Sequence, residues 1–174
     1  MRGESLDFQT ADIERFLDEF REIEREALIG RLEAASARLS ELAPRIPGDA
    51  APGTSSWSAH EVLAHVVALS KLYGMLTYRI GSGALTEFDL LAMVHQRDAA
   101  GEALAQMDDA RLLATALADH RKTLDYLRGA SAADLERRCR LGEGREMSAG
   151  EVLRLPLVAH LEQHVRQLED ALAP

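Results

Sequence analysis

The sequence predicts an all-α protein of four main helices, near residues 10–43, 58–80, 105–128 and 148–172, with a short extra helix between the second and the third. Three observations carry this. Apolar residues recur at three- and four-residue intervals along most of the chain. Two Ser-x-x-Glu boxes, Ser58 with Glu61 and Ser148 with Glu151, mark helix starts, because each side chain satisfies a backbone N–H that the first helical turn leaves free. Prolines and glycines fall into a few clusters instead of interrupting the periodic segments. A chain of 174 residues is long enough for one domain with a substantial core and short for two, so residues 1–174 are read as a single domain.

The first helix is expected from about Thr10 to Leu42, on the stripe Ile13, Phe16, Phe20, Ile23, Ala27, Ala35, Leu39 and Leu42, with Gly30 a kink or break within it. Pro44, Pro47 and Pro52 with Gly48 and Gly53 then mark a loop. The second helix follows Ser58, with Trp57 outside the cap as a hydrophobic staple against Val62. It carries Val62, Val66, Leu69, Tyr73, Leu76 and Ile80 on one face and ends at Gly81 and Gly83. The extra helix starts at Thr86 and runs through Phe88, Leu91 and His95 towards Gly101. The third main helix sets Leu113, Leu117, His120, Leu124 and Leu127 on its seam and stops at Gly129, and Ser131 to Leu135 adds one more turn. Arg138 to Met147, with Gly142 and Gly144, reads as a short hairpin-like loop. The last helix opens with Ser148-Ala-Gly-Glu151-Val-Leu, close to Ser58-Ala-His-Glu61-Val-Leu. Convergence on a favourable helix start and duplication of a helix pair both fit that repeat.

Hydrophobic residues make up 47% of the chain and aromatics only 5%, so the core must be built from Leu, Ala and Val, which suits packed helices. A formal net charge of −9 repels phosphate backbones and argues against nucleic acid as a partner. The single cysteine, Cys139, excludes an internal disulfide and is compatible with a reducing cytosol. The start, MRGESLDF, has no apolar leader core, and no stretch approaches the roughly 18 continuous apolar residues of a membrane span. A cytoplasmic protein with no membrane partner is expected.

The most informative residues are histidines. In His160-Leu-Glu-Gln-His164 two imidazoles stand one helical turn apart, with Cβ atoms about 5–6 Å from each other. Both can close on one metal ion. A third, His65 in WSAHEVLAHV, would complete a facial set of three nitrogen ligands and leave positions open, as catalytic sites do. An isolated H-x-x-x-H also fits two metal-free histidines on a surface or in a core. Here the pair continues a stripe with Val152, Leu155, Gln167, Leu168 and Ala171, so it should face inward, and a shared metal would partner the buried rings.

If helices two and four are antiparallel neighbours in a four-helix bundle, whose cores commonly hold metals, the depths agree. At 1.5 Å per residue His65 lies about 10 Å into helix two, and His164 about 12 Å from the end of helix four. Pro156 should bend helix four just upstream by freeing a backbone carbonyl. His120 falls on the seam of helix three and is read as a satisfied core histidine, with lining of the metal pocket the alternative. His60 is read as a surface residue at the solvent end of helix two, and His95 stays unassigned. Gln167, one turn beyond His164, is either its hydrogen-bond partner or a packing amide. Cys139, with no histidine or second cysteine beside it, is structural or incidental. Glu162 should face away from the two histidines at about 100° per residue, and no carboxylate is evidently placed as a general base.

WSAHEVLAHV at 57–66, a phenylalanine-led segment ending in HQRD at 95–98, and HLEQHVRQLE at 160–169 together resemble the DinB/YfiT-like superfamily, over most of the chain from Glu14 to Leu172. The resemblance implies a four-helix bundle of up-down-down-up connectivity, often dimeric, with a divalent metal held by one histidine of helix two and two residues of helix four. Carried over by position, those are His65, His160 and His164. It also implies kinship with mycothiol-dependent maleylpyruvate isomerases and bacillithiol-type S-transferases, in which a low-molecular-weight thiol coordinates the metal. Some isomerase-like members have a glutamate where this chain has His160.

Two classes of function follow. One is a metal-dependent enzyme acting on a small molecule, either a thiol-dependent S-transferase or isomerase, or a hydrolase that activates water. The other is a non-catalytic helical module, a homodimer whose metal is structural or vestigial. Three imidazoles suit zinc, nickel or iron alike.

Overall fold

A computed structural model describes residues 10–47, 57–142 and 144–173. The loop glycines Gly48 and Gly53 and Pro52, and the segment MRGESLDF, lie outside the described residues. The chain is mostly helical: α1 (Thr10–Leu42), a 3-10 turn (Ala43–Arg45), α2 (Ala59–Gly81), α3 (Leu90–Leu104), α4 (Asp109–Gly129) and α5 (Ala132–Leu135). Strands β1 (Arg138–Arg140) and β2 (Glu146–Ser148) follow, then α6 (Ala149–Val152), a π-helical stretch (Leu153–Ala159) and α7 (His160–Ala171). No helix among the described residues is long and apolar enough to cross a membrane.

α2 is the central helix. Ser58 and Glu61 form the expected reciprocal cap. The stripe Val62, Val66, Leu69, Tyr73, Leu76 and Ile80 is buried throughout, and Leu63, Val67, Ser70 and Thr77 are buried on other faces. Gly74 and Gly81 let α4 come close, since a Cβ at either position would collide with Thr123 or with Tyr126. Gly81 therefore does more than end the helix.

Side-chain ties set the helices against one another. Arg31 meets Glu162 and Arg38 meets Glu169, so α1 and α7 run in the same direction. His60 meets Asp109 and Ser70 meets His120, so α2 and α4 also run together. Arg25 reaches the Leu127 carbonyl while Ser36 meets His120, so α1 and α4 run oppositely. Gly150 of α6 abuts the Leu135 carbonyl, while Gly81 at the end of α2 abuts the Asp134 carbonyl. The last helical segment thus enters beside the end of α2 and returns towards its start.

Several expectations are corrected. The first half of α1 does not join the core: Ile13, Phe16, Phe20 and Ile23 are 46%, 55%, 59% and 65% exposed, and burial begins at Leu28. A helix keeps its own hydrogen bonds wherever it extends, but its apolar face is buried only where other elements reach it. Gly30 does not break α1, which runs through it from Thr10 to Leu42. Thr86 to Phe88 is not helical: Phe88 N–H donates to the Arg140 carbonyl and Arg140 N–H to the Thr86 carbonyl, so the segment pairs with β1. α3 starts only after its cap, Asp89. On α4 the buried face is Leu112, Ala116, His120, Thr123, Leu124 and Leu127, with Leu113 and Leu117 only half-buried, so the early seam is turned by one residue. The hairpin-like loop is a two-stranded antiparallel hairpin pairing Cys139 with Met147. Gly142 and Gly144 take the positive φ angles, 84° and 74°, that its turn needs.

Candidate metal centre

The last helix is not one continuous α-helix. Ser148 and Glu151 cap its start as expected, but Pro156 has no N–H for the Val152 carbonyl. The chain widens to π geometry over Leu153–Ala159, whose i→i+5 bonds let the N–H of Leu157 serve that carbonyl instead. At the end of this stretch the His160 N–H bonds to the Leu155 carbonyl and passes over that of Pro156. The Pro156 carbonyl is then taken up by the His160 ring, whose basicity it raises. The carbonyl that Pro156 was expected to free, that of Val152, is thus bonded again, and the one that orients a site residue is the carbonyl of Pro156 itself. The same widening turns Leu155 outward, 63% exposed, against its expected place on the inward stripe, and Ala171 is exposed as well.

His65, from α2, and His160 and His164, from α7, come together as the sequence predicts. Their ring centroids lie 5.4 Å (His65 to His160), 4.9 Å (His65 to His164) and 4.7 Å (His160 to His164) apart. One ligand atom from each lies within 4.8 Å of the others, so the three could hold a metal ion. His164 is buried, at 6% exposure. Trp57 is 41% exposed and covers one side, 4.9 Å from the His65 ring and nearly parallel to that of His164 at 6.4 Å. The residue expected as a helix staple is therefore a wall of the site, a role that cap spacing alone does not reveal.

Electrostatics keep the three rings neutral. Burial first, then the charges of His164, Arg97 and His160, push His65 down to about 4. Burial also lowers His160 and His164, with Arg97 adding to both. Neutral imidazole is the form that offers a lone pair. For His164 the tautomer follows from its partner: Nδ1 lies 3.0 Å from Gln167 Oε1, an acceptor, so Nδ1 carries the hydrogen. Nε2 then bears the lone pair, and it is buried with no hydrogen-bond partner among the described residues. A buried acceptor left unmatched costs about 1–3 kcal/mol. A cation shared with His65 and His160 would satisfy it, and this is the observation that fits the donor set to a metal. Gln167 is accordingly the partner of His164.

The remaining candidates fall outside the centre. His120 is a satisfied core histidine: the Ser36 hydroxyl donates to the Leu32 carbonyl and accepts from Nδ1 of His120 at 2.8 Å, and the Ser70 hydroxyl donates to Nε2 at 2.7 Å. His60 is half-buried, which corrects its reading as a surface residue. It bridges the Ala105 carbonyl and Asp109, and these two partners raise its pKa. His95 is exposed on α3. Cys139 is buried, and burial pushes its thiol up. Glu162 faces α1, gripping Arg31 at 2.8 and 2.7 Å. A groove of about 440 Å³ lined by Ser70, Lys71, Met75, Tyr78 and Thr123, among others, includes none of the three histidines. Arg97, within HQRD at 95–98, shows no role by its place in the sequence. Its tie to Tyr73, on the buried stripe of α2, could have pointed to it only once α3 was placed.

No curated protein matches the chain, and no solved structure matches it. The profile of the DinB superfamily matches residues 22–168, a span that includes all three histidines, Gln167 and the two capping boxes. The chain belongs to the DinB superfamily.

Proposed function

We propose that this protein is a metal-dependent enzyme acting on a small molecule at a centre built from His65, His160 and His164. The observation that carries the reading is His164: one nitrogen tied to Gln167, the other buried and unmatched among the described residues, in a ring that packs against the imidazoles of His65 and His160. The finer arrangement we infer is a four-helix bundle of α1, α2, α4 and the α6–α7 segment running up-down-down-up. Support comes from the paired ties of α1 with α7, α2 with α4 and α1 with α4.

Zinc, nickel or iron bound there would supply Lewis acidity, lowering the pKa of a thiol or a water molecule. The protein's own groups do the rest. Gln167 and the Pro156 carbonyl orient the two imidazoles of α7. Trp57 shields one side from water. Glu162 is committed to Arg31 and Glu169 to Arg38, so neither glutamate of α7 is placed as a base. That fits a co-substrate whose acidity the metal itself can raise, a low-molecular-weight thiol in S-transfer or isomerisation or a water molecule in hydrolysis. A homodimer is the assembly we infer, through the exposed apolar stripe of α1.

The test begins with elemental analysis of protein purified without an affinity tag. His65→Ala should lose most of the metal and His60→Ala should keep it; equal retention removes His65 from the centre. Cobalt-substituted protein is then titrated with mycothiol, bacillithiol, glutathione and cysteine while its absorbance is followed. A thiol-induced change supports S-transfer. No change, together with slow ester or amide hydrolysis, replaces it by a hydrolase, and neither response leaves a non-catalytic module.

A further inference from the structure

We propose that the groove between α2 and α4 is a second binding site, separate from the three histidines, for a small amphipathic monoanion with an apolar body about 10 Å long and a carboxylate at one end.

The groove has a volume of about 440 Å³, within the range of small-ligand pockets. Among the described residues, the large apolar side chains that α2 leaves exposed are Met75, at 41%, and Tyr78, at 52%, and both line it. α4 supplies the facing wall with Lys122, Thr123 and Tyr126. Gly74 lets that wall come close, since a Cβ there would collide with the Thr123 hydroxyl. The rings of Tyr78 and Tyr126 meet edge to face at 5.3 Å and mark one end. Lys71 marks the other, seven residues before Tyr78 and so about 10 Å away along the helix.

The polar groups of the groove select an anion. Lys71 and Lys122 are the only lysines in the chain, and they stand on its two walls. A lysine lays its methylene stem along an apolar wall and holds the ammonium at the rim. Asp119 takes Lys122 at 2.9 Å, whereas Lys71 has no hydrogen bond or ion pair among the described residues. The groove therefore carries one uncompensated positive charge, in a chain whose net charge is −9. Its hydroxyls are spent within the fold: that of Ser70 donates to His120 and that of Thr123 to the Asp119 carbonyl. Apolar walls with one free ammonium at one end complement an apolar body with one anionic end. A neutral amphiphile would leave the ammonium unmatched, and a cationic one would meet like charge.

The test is calorimetric titration of the full-length protein, as purified and after removal of metal by chelation, with octanoate, octanol, octylamine and acetate. Octanoate should bind saturably, about tenfold or more tighter than octylamine or acetate. In protein with isotope-labelled methionine methyls, the Met75 resonance should shift with the same saturation. Lys71→Gln should weaken octanoate by about threefold to fivefold while leaving octanol within about twofold. Tyr78→Ala should weaken both. Both substitutions fall at exposed positions outside the core, so the folded protein is kept. Absence of saturable octanoate binding overturns the proposal, as does binding that ignores Lys71→Gln and leaves the Met75 resonance in place. Affinity lost on chelation would put the carboxylate on a metal and overturn it too. If Lys71→Glu changes the sedimenting mass, the face is a contact between copies of the chain and not a ligand site. Failure of the protein to bind metal leaves this result untouched.

Discussion

Gln167 Oε1 accepts the Nδ1 hydrogen of His164 at 3.0 Å, and this bond decides which nitrogen of the buried ring keeps its lone pair for a metal shared with His65 and His160. Substituting leucine for Gln167 frees the ring to turn or to change tautomer. Zinc affinity should fall by about 10–100-fold, the usual effect of removing such a partner, as measured by competition with a chromophoric chelator. An unchanged affinity would make Gln167 a packing amide.

Pro156→Ala restores the N–H that the Val152 carbonyl lacks, so α-helical bonding can replace the π stretch. Narrowing the helix rotates the preceding turn by about 100° relative to His160. It also takes the Pro156 carbonyl away from that ring. Zinc affinity is expected to drop by about tenfold with little change in helix content by circular dichroism. Retention of full affinity would show that packing of Leu153, Leu157 and Val158, and not the proline, holds the widened turn.

Burial pushes His120 down to about 4 from an ordinary 6.5, so the unfolded chain binds its proton where the folded chain does not. The stability linked to this residue is complete above pH 6.5 and is lost as the pH falls towards 4. The full loss is on the order of 3 kcal/mol. His120→Gln, which cannot titrate, should lower stability near pH 7.5 through the disturbed serine contacts yet give a flatter denaturant midpoint between pH 6.5 and 4. A slope identical to wild type would assign the acid sensitivity elsewhere.

Phe16 and Phe20 lie with ring centroids 5.4 Å apart and planes tilted by 53° on the exposed stripe of α1. Wild-type protein is expected to sediment as a dimer, and Phe16→Glu with Phe20→Glu as a monomer of unchanged secondary structure. Because neither ring is in the core, each substitution should change monomer stability by no more than about 0.5 kcal/mol. A monomeric wild type would show that the stripe does not pair copies of this chain.

The helices were legible because their determinants are local. The boxes Ser58–Glu61 and Ser148–Glu151 and the stripe from Val62 to Ile80 need only a few neighbouring residues to act, and both boxes and the stripe lie where the spacing puts them. The pair His160 and His164 was legible for the same reason, since one helical turn brings them together under any tertiary arrangement. The exposed half of α1 was not. Its periodicity from Ile13 to Ile23 matches that of a buried face, and only the reach of the other helices distinguishes the two. Nor was the pairing of Thr86–Phe88 with β1, because a strand's hydrogen bonds depend on a partner distant in sequence.

By itself the sequence determined the helical class, the two helix starts capped by Ser58 and Ser148 and the imidazoles offered to a metal, all of which follow from interactions spanning a few residues. Tertiary structure alone decided which apolar faces are covered, that His60 is tied to Asp109, that Trp57 walls the centre and that the charge of Arg97 falls on it. Burial, ring orientation and electrostatic field are properties of what surrounds a side chain, and in this protein those surroundings come from helices far apart along the chain.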